Sequence, residues 1–163
     1  MKKYIYLFIS NLLLFIVFPV IRLVSKSFYE KNILPYVLNL SCNSKPVDYQ
    51  RKKVIPDAIG KVLEIGIGPG SNLKHYNNTK VTSILGIDPS KELNQIAKKR
   101  AEKYNLNIEF LIESASNLSV DNSSIDTVVS TYALCSIPEP EKTLQEIKRV
   151  LKSDGIFIFS EHG

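Results

Sequence analysis

The feature that most constrains this sequence is a glycine-rich turn at residues 64–70 (EIGIGPG), which continues an apolar run at residues 62–65. Glycine allows a tight turn and lets a ligand approach the backbone. An apolar run that ends in such a turn predicts a buried β-strand, followed by a helix whose N-terminal N–H groups would face the ligand. Taken alone the signal is weak, because an ordinary strand-to-helix turn has a similar composition.

The chain beyond residue 61 alternates between apolar runs and amphipathic stretches. After the first strand, further strands are predicted at residues 83–88, 108–112, 125–130 and 156–160, and helices at residues 91–104 and 139–151. Ser90 is the expected N-cap of the first of these helices and Gly155 the expected C-cap of the second. Strands that alternate with helices predict a parallel, right-handed α/β sheet.

Asp88 ends the second predicted strand and follows Gly70 by 18 residues. In a Rossmann-like sheet this position lies beside the first loop, at the edge where ligands bind, and its carboxylate can accept both hydroxyls of a ribose. The alternative is a turn or cap residue in the sequence Asp88-Pro89-Ser90. The glycine-rich turn makes the ligand-binding interpretation the stronger one.

The glycine spacing separates two cofactor classes. A dinucleotide fingerprint that begins at Gly66 requires glycine at position 71, where this chain has Ser71. A nicotinamide-dependent oxidoreductase is therefore the weaker hypothesis, and cofactor titration would test it. The pattern acidic-x-G-x-G-x-G resembles instead the class I S-adenosylmethionine-dependent methyltransferases.

Further motifs extend this resemblance over about residues 50–163. Matches to the broad group that includes the ubiquinone/menaquinone C-methyltransferases occur at residues 86–90 (GIDPS), 114–115 (SA), 124–129 (SIDTVV) and 149–155 (RVLKSDG). Residues 72–73 (NL), 132–137 (YALCSI) and 161–163 (EHG) look like membrane-associated methyltransferase-like proteins that include thiol methyltransferases. The resemblance implies a Rossmann-like three-layer sandwich with a mainly parallel sheet and S-adenosylmethionine as the cofactor.

The resemblance also assigns roles to individual residues. It implies that Gly66, Gly68 and Gly70 line the methionine and ribose portion of the cofactor, that Glu64 orients the loop or contacts the cofactor amino group, and that Asp88 binds the ribose hydroxyls. Pro89 would flank the adenine, and Ser114 and Ala115 would lie at its edge. Many family members have aspartate where this chain has Ser114, which leaves the contact to the adenine amino group open.

No catalytic residue is assigned. Methyl transfer depends mainly on aligning the nucleophile, the methyl group and the leaving sulfur. Tyr132 and Ala133 would face the methyl group. Tyr132, Glu161 and His162 are candidates for a general base, although His162 more often has no catalytic role at such a position. Asp126 is expected to be structural.

The N-terminus carries a candidate membrane anchor. Residues 4–21 contain no charged side chain and are long enough to span a bilayer as a hydrophobic helix. A secretory signal peptide is the alternative, but no clear cleavage site follows. The predicted organisation is a membrane segment at residues 1–27, a helical linker and cofactor-pocket cover at residues 28–60 that includes a helix at residues 46–55, and a methyltransferase domain at residues 61–163.

The chain carries a net charge of +5. Basic residues near the apolar segment, among them Arg51, Lys52 and Lys53, suit an anionic membrane surface. No nucleic-acid partner is expected, because no aromatic–basic reading motif occurs. The two cysteines and two histidines form no paired motif, so no metal site is expected.

These observations predict a membrane-associated methyltransferase, with its domain on the cytoplasmic side, that acts on a small, lipophilic molecule. The sequence ends three residues after the fifth predicted strand, whereas the family usually has seven. We therefore expect a C-terminally truncated domain that lacks the last two strands. The alternative function is a remnant that binds S-adenosylmethionine without catalysis. The sequence does not determine the oligomeric state.

Overall fold

The computed structural model describes residues 44–161 together with Phe28, Tyr29, Ile33 and Leu34. The chain divides into two compact units, Met1–Leu38 and Asn39–Gly163. The predicted hydrophobic helix at residues 4–21 lies outside the described residues. Within the described part, no helix combines the length and the apolar character needed to cross a membrane. The predicted division into three segments remains a prediction.

The second unit contains all the elements discussed below. Its α-helices are α1 (Lys45–Val54), α2 (Lys91–Ala101) and α3 (Pro140–Val150). Its strands are β1 (Gly60–Ile65), β2 (Val81–Ile87), β3 (Ile108–Leu111), β4 (Ile125–Thr131) and β5 (Leu151–Ser160). Short 3-10 helices lie at Ile55–Asp57, Leu73–His75 and Leu134–Ser136.

The five strands form one parallel sheet in the order β3-β2-β1-β4-β5. The chain runs outward from β1 through β2 to β3, then returns to the other side of β1 for β4 and β5. The order in which strands are added to the sheet therefore reverses between β1 and β4. These two strands are parallel, and Val62–Ile65 pairs with Thr127–Ser130. Open α/β sheets bind ligands at such a switch point, beyond the carboxyl ends of the strands. The prediction of a Rossmann-like α/β fold with a five-stranded parallel sheet is confirmed.

Apolar side chains cover both faces of the central strands. Val62 of β1 and Val129 of β4 belong to one buried cluster, which α2 joins through Ala101. Their neighbours Leu63 and Val128 belong to a second cluster, which α3 joins through Ile147 and Val150. Burial on both faces explains why β1 and β4 read as nearly continuous apolar runs. Because α2 packs in one cluster and α3 in the other, the sheet lies between two helical layers, which gives the predicted three layers.

The connection after β1 differs from the prediction. Instead of an α-helix, residues 66–80 form turns and the single 3-10 helix Leu73–His75. Gly68 and Gly70 have φ values of 52° and 75°, which a right-handed helix does not accommodate. Asn77 then closes a turn by accepting the N–H of Thr79 at 2.9 Å. The expected helix N-terminus is therefore absent from this described connection.

The two helix boundaries proposed from capping residues have different outcomes. Ser90 is the N-cap of α2, and its Oγ accepts the N–H of Leu93 at 3.2 Å. The C-cap prediction for Gly155 is wrong, because α3 ends at Val150 and Gly155 lies inside β5. The register passes from Ile125↔Leu151 to Thr127↔Ile156, so Gly155 lies in a bulge. A Cβ at Gly155 would come within 3.1 Å of the carbonyl oxygen of Ile125.

Candidate functional site

The predicted site residues from β1 and β2 gather at the carboxyl edge of the sheet, beside the switch point. Residues 66–71, called the glycine loop below, follow β1. Residues 132–134, called the β4 turn, follow β4. A Cβ on Gly66 would lie 2.6 Å from the Cβ of Ala133, so the glycine loop packs directly on the β4 turn. These two segments form the walls of the candidate site.

The glycines of the loop have different roles. Gly66 and Gly70 allow close packing, because a Cβ on Gly70 would come within 3.2 Å of the backbone of Ala97 in α2. Gly68 has a φ of 52°, and a Cβ there would meet no atom closer than the Gly66 carbonyl oxygen at 3.8 Å. Gly68 is buried, but no side chain fills the space beside its Cα, so a ligand can approach its backbone.

Asp88 joins the glycine loop to the end of β2. Its Oδ2 accepts the N–H of Gly68 at 3.0 Å, and its Oδ1 accepts the N–H of Ser90 at 2.8 Å. Burial raises the pKa of Asp88, and the two N–H groups oppose that rise. A carboxylate has about four acceptor positions, so Asp88 retains capacity for further donors.

Glu64 is buried at the end of β1 and holds the segment that follows the glycine loop. Its Oε1 accepts the side-chain amide of Asn72 at 2.9 Å, and its Oε2 accepts the hydroxyl of Tyr76 at 2.7 Å. Burial raises the pKa of Glu64 to about 7, although hydrogen bonds from Tyr76 and Asn72 and the charge of Arg51 oppose it. This geometry gives Glu64 an orienting role; its contact with a cofactor amino group remains a prediction.

Arg51 enters the site from α1. Only 4% of Arg51 is exposed, and its Nη1 donates to Asn72 Oδ1 at 2.8 Å and to Thr131 Oγ1. The expectation that Arg51 belongs to a basic membrane-facing surface is therefore wrong, whereas Lys52 and Lys53 are exposed. No local signal separates Arg51 from Lys52 and Lys53, because the three residues form one basic run in the sequence.

The same face of α1 carries a second link to the segment after the glycine loop. Asp48 Oδ1 lies 2.7 Å from Lys74 Nζ and 2.8 Å from His75 Nε2. The hydrogen bond from Lys74 contributes most to lowering the pKa of Asp48. With Arg51 bound to Asn72, α1 therefore holds residues 72–75 at two points. The role of residues 28–60 as a cover of the cofactor pocket remains a prediction.

The β4 turn is held in an unusual backbone conformation. Tyr132 has a φ of 55°, a left-handed geometry that costs about 1–3 kcal/mol for a residue other than glycine. Its N–H donates to the Ser160 carbonyl oxygen at 2.8 Å. Glu161 Oε1 accepts the N–H groups of Ala133 and Leu134 at 3.1 and 3.2 Å. Glu161 thus fixes the turn, while the other base candidate His162 lies outside the described residues.

The remaining predicted cofactor residues are Pro89, in the turn after β2, and Ser114 and Ala115, in the loop after β3. Pro89 is exposed directly after Asp88, Ala115 is buried, and Ser114 is exposed with its Oγ 2.8 Å from Ser116 Oγ. Ser114 also lines an open surface cavity of about 380 Å³, together with Glu113, Asn117, Leu118 and Ser119. These positions suit the predicted adenine edge, but the contacts to adenine remain predictions.

Asp126 lies at the opposite end of the sheet. Its Oδ2 accepts the N–H of Lys61 at 2.7 Å, and its Oδ1 is 2.5 Å from Lys152 Nζ. The hydrogen bond from Lys152 is the main cause of its lowered pKa. Asp126 therefore joins the starts of β1, β4 and β5, which fits the structural role expected for it. Within residues 44–161 and the four described residues before them, no His, Cys, Asp and Glu side chains gather as a metal site.

The side chains present fit the cofactor that the resemblance implies. Gly68 offers open backbone and Asp88 has spare acceptor capacity for hydroxyl donors. Ser71 Oγ is buried in the glycine loop without a hydrogen-bond partner among the described residues. A buried polar atom is normally paired, so this hydroxyl is available to a ligand.

Comparisons with known proteins agree with this geometry. The family profile described as "Methyltransferase domain" matches residues 63–159. The thiol S-methyltransferase TMT1B of Rattus norvegicus is 39% identical over 105 residues, covering 62% of this chain and 42% of the relative. The ubiquinone/menaquinone biosynthesis C-methyltransferase UbiE of Campylobacter jejuni is 32% identical over 107 residues, covering 62% and 44%.

A solved structure shows the same architecture. The YcgJ protein from Bacillus subtilis aligns with a TM-score of 0.61 and 29% identity, covering 70% of this chain and 49% of that chain. The chain spans less than half the length of each of the two curated relatives described above.

Proposed function

This chain belongs to the methyltransferase domain family of class I S-adenosylmethionine-dependent enzymes, and from that premise we propose that it methylates a small, lipophilic thiol at a membrane. The observation that carries the proposal is the edge of the sheet at the switch point, where the β4 turn packs on Gly66 of the glycine loop and Asp88 accepts the N–H of Gly68. We assign the ligand crevice to this edge, where open α/β sheets bind ligands. Asp88 and Gly68 form its cofactor side, and Tyr132 lies on the other side.

The cofactor supplies a methyl group activated by a positively charged sulfur. The open backbone of Gly68 and the carboxylate of Asp88 are the groups we assign to its ribose and methionine portion. Ser71 is a further polar contact in the loop. Ala115 and Pro89 are assigned to the adenine. These residues bind and orient, and the rate then depends on alignment within the crevice.

A thiol acceptor suits a site without an assigned general base. A thiolate is the reactive form of sulfur, and cysteine-like thiols already ionise in part near neutral pH. The name of the rat relative, a thiol S-methyltransferase, supports this acceptor class. The apolar residues 4–21 support a membrane location and hence a lipophilic substrate. The domain would then face the cytoplasm, where the cofactor is made.

The experiment is a methyl-transfer assay with the full chain in lipid vesicles. The protein is incubated with isotopically labelled S-adenosylmethionine and a six-carbon alkyl thiol, and the labelled thioether is measured by mass spectrometry. Asp88→Ala should lower product formation at limiting cofactor, because it weakens cofactor binding. Asp126→Ala is the matched control, because it removes a carboxylate from the opposite end of the sheet.

The acceptor class is tested by replacing the thiol with an alcohol, an amine or a quinol of similar size. Product from a quinol alone would move the assignment toward carbon methylation, the activity that the name of the Campylobacter relative describes. Cofactor binding without product from any acceptor would favour the binding remnant.

A further inference from the structure

Arg51 is the one buried residue of α1, and its guanidinium contacts the residue that follows the glycine loop and the residue that precedes the β4 turn. Nη1 donates to Asn72, beyond the glycine loop, and to Thr131, at the end of β4. We propose that Arg51 is a positioning residue that sets the acceptor side of the site by holding the ring of Tyr132. The inference rests on the proposed function, since it presumes an acceptor opposite the cofactor.

The contact with Tyr132 is the first step of the argument. The guanidinium carbon of Arg51 lies 5.2 Å from the centroid of the Tyr132 ring, within the range of a cation–π interaction. The left-handed backbone of Tyr132 turns its side chain away from the direction that a continued strand would give it. The same guanidinium holds Thr131, the preceding residue. Arg51 therefore fixes both the end of β4 and the ring that follows it.

The second step is the choice of arginine. A planar guanidinium can stack on an aromatic ring while it donates hydrogen bonds in its own plane, whereas the ammonium of lysine cannot reproduce both contacts. Arg51 Nε is also buried without a hydrogen-bond partner among the described residues. Buried donors are normally paired. This is not the arrangement expected of an arginine that serves folding alone.

The third step separates the two sides of the crevice. Gly68 and Asp88 hold the cofactor side through a hydrogen bond in which Arg51 takes no part. Arg51 reaches the cofactor side only indirectly, through Asn72 and Glu64, so removing the guanidinium should act mainly on the acceptor. We expect Arg51→Met to raise the KM for the alkyl thiol roughly tenfold or more, the scale for losing contacts of a charged group. The Kd for S-adenosylmethionine should change by less than about threefold, since its main polar contacts remain.

The experiment is a double-mutant cycle with the full chain. Arg51→Met, Tyr132→Leu and the double variant are compared by acceptor KM, by cofactor Kd from calorimetry and by Tm. Arg51→Lys is included because it keeps the charge and should restore folding if the Met variant is unstable. Lys52→Met is the matched control, since Lys52 is adjacent on α1 but exposed.

If the proposal holds, Arg51→Met raises the KM for the alkyl thiol when residue 132 is tyrosine. In the Tyr132→Leu background, the same substitution has no further effect on that KM. The losses in Tm of the two single variants should also fail to add, and Arg51→Lys should fold yet keep a raised KM. Equal effects of Arg51→Met in both backgrounds would overturn the proposal. Additive losses in Tm would overturn the contact itself. If the Tm losses of the two single variants are not additive but the protein transfers no methyl group to any acceptor, the contact between Arg51 and Tyr132 stands. The proposed function is then overturned, and with it the role of Arg51 in acceptor binding.

Discussion

At the scale of single residues, the site is built on two buried carboxylates with different tasks. Glu64 uses both oxygens to hold Asn72 and Tyr76, whereas Asp88 ties the loop to β2 and keeps acceptor capacity. Both have raised pKa values because burial disfavours the charged form. The two residues can be tested separately, since Asp88 should affect ligand binding and Glu64 should affect how the stability of the protein depends on pH.

Asp88→Ala should weaken S-adenosylmethionine binding by about 1–3 kcal/mol, the scale for losing hydrogen bonds to a charged group. The substitution also releases Gly68 from β2. Isothermal titration calorimetry on the folded variant measures the effect, and Asp126→Ala should leave the affinity unchanged. Wild-type affinity in Asp88→Ala would remove Asp88 from the ribose site.

Glu64 should make the protein less stable as pH rises from 4.5 to about 7. Between the ordinary glutamate pKa of 4.5 and the folded pKa of about 7, the native state keeps the proton that the unfolded chain releases. Rising pH therefore favours unfolding over this window, by roughly 3 kcal/mol in total, and the stabilisation is complete only below pH 4.5.

Glu64→Gln mimics the protonated side chain and should remove this part of the pH dependence. Urea unfolding at several pH values measures it. The exposed Glu102→Gln serves as the control and should keep the wild-type slope. The same slope in Glu64→Gln would show that Glu64 is ionised in the native state.

Sequence reasoning anticipated the placement of Glu64, Gly68 and Asp88 because parallel strands bring their carboxyl ends to one edge. It missed the buried position of Arg51 because three consecutive basic residues were interpreted as part of a surface that faces an anionic membrane. Only the position of α1 against residues 72–75 distinguishes Arg51 from Lys52. That position depends on tertiary contacts rather than on local sequence.

At the scale of elements, strand and helix positions followed from the apolar patterns, with ends that shifted by a few residues. The errors lie where backbone conformation decides, in the connection after β1 and at Gly155. Glycine is compatible with a loop, a cap or a bulge, and neighbouring strands select among them. Residues 112–124 contain no helix, and Arg149 of α3 shows how they are held.

Arg149 should be an important stabilising contact between α3 and residues 118–122. Its Nη1 donates to the Val120 carbonyl oxygen at 2.7 Å, and its Nη2 donates to that of Leu118 at 3.0 Å. Lysine cannot form this fork. Arg149→Lys should therefore lower the free energy of unfolding by about 1–3 kcal/mol.

Urea unfolding of the Arg149 variant provides the measurement, with the exposed Lys148→Gln as its neighbour on α3 for comparison. A stability equal to that of Lys148→Gln would mean that solvent replaces the contacts of Arg149 without loss.

At the scale of the whole molecule, the sheet has a buried centre and a partly open side. β5 pairs with β4 and, in the described part of the chain, with no other strand. Phe157 and Phe159 stack with ring centroids 5.2 Å apart, and Phe159 is 59% exposed. An exposed strand edge with large apolar side chains favours association between copies.

The 163-residue chain should therefore self-associate even after removal of residues 1–25, and Phe159→Lys should reduce this. Sedimentation velocity measures the distribution of species. Ile112→Lys is the control, because Ile112 is similarly exposed but follows β3 at the other side of the sheet. A monomeric parent chain would contradict the prediction.

Removal of residues 1–25 should also move the protein from membranes to the soluble fraction, because it deletes the apolar run at residues 4–21. Fractionation of cells that express both forms measures this. If the shortened chain stays on membranes, the exposed Lys52 and Lys53 become the next surface to substitute.

The reach of Arg51 has a consequence for the order in which the protein matures on the ribosome. Its partner Thr131 is 80 residues away in sequence. At about 5–20 residues per second, Arg51 is synthesised roughly 4–16 seconds before that partner. During this interval β1 and β2 can pair, but the wall opposite them does not yet exist. The crevice can therefore form only after β4 has been translated. A translational pause between residues 80 and 125 would lengthen the time during which the guanidinium of Arg51 lacks its partner on β4.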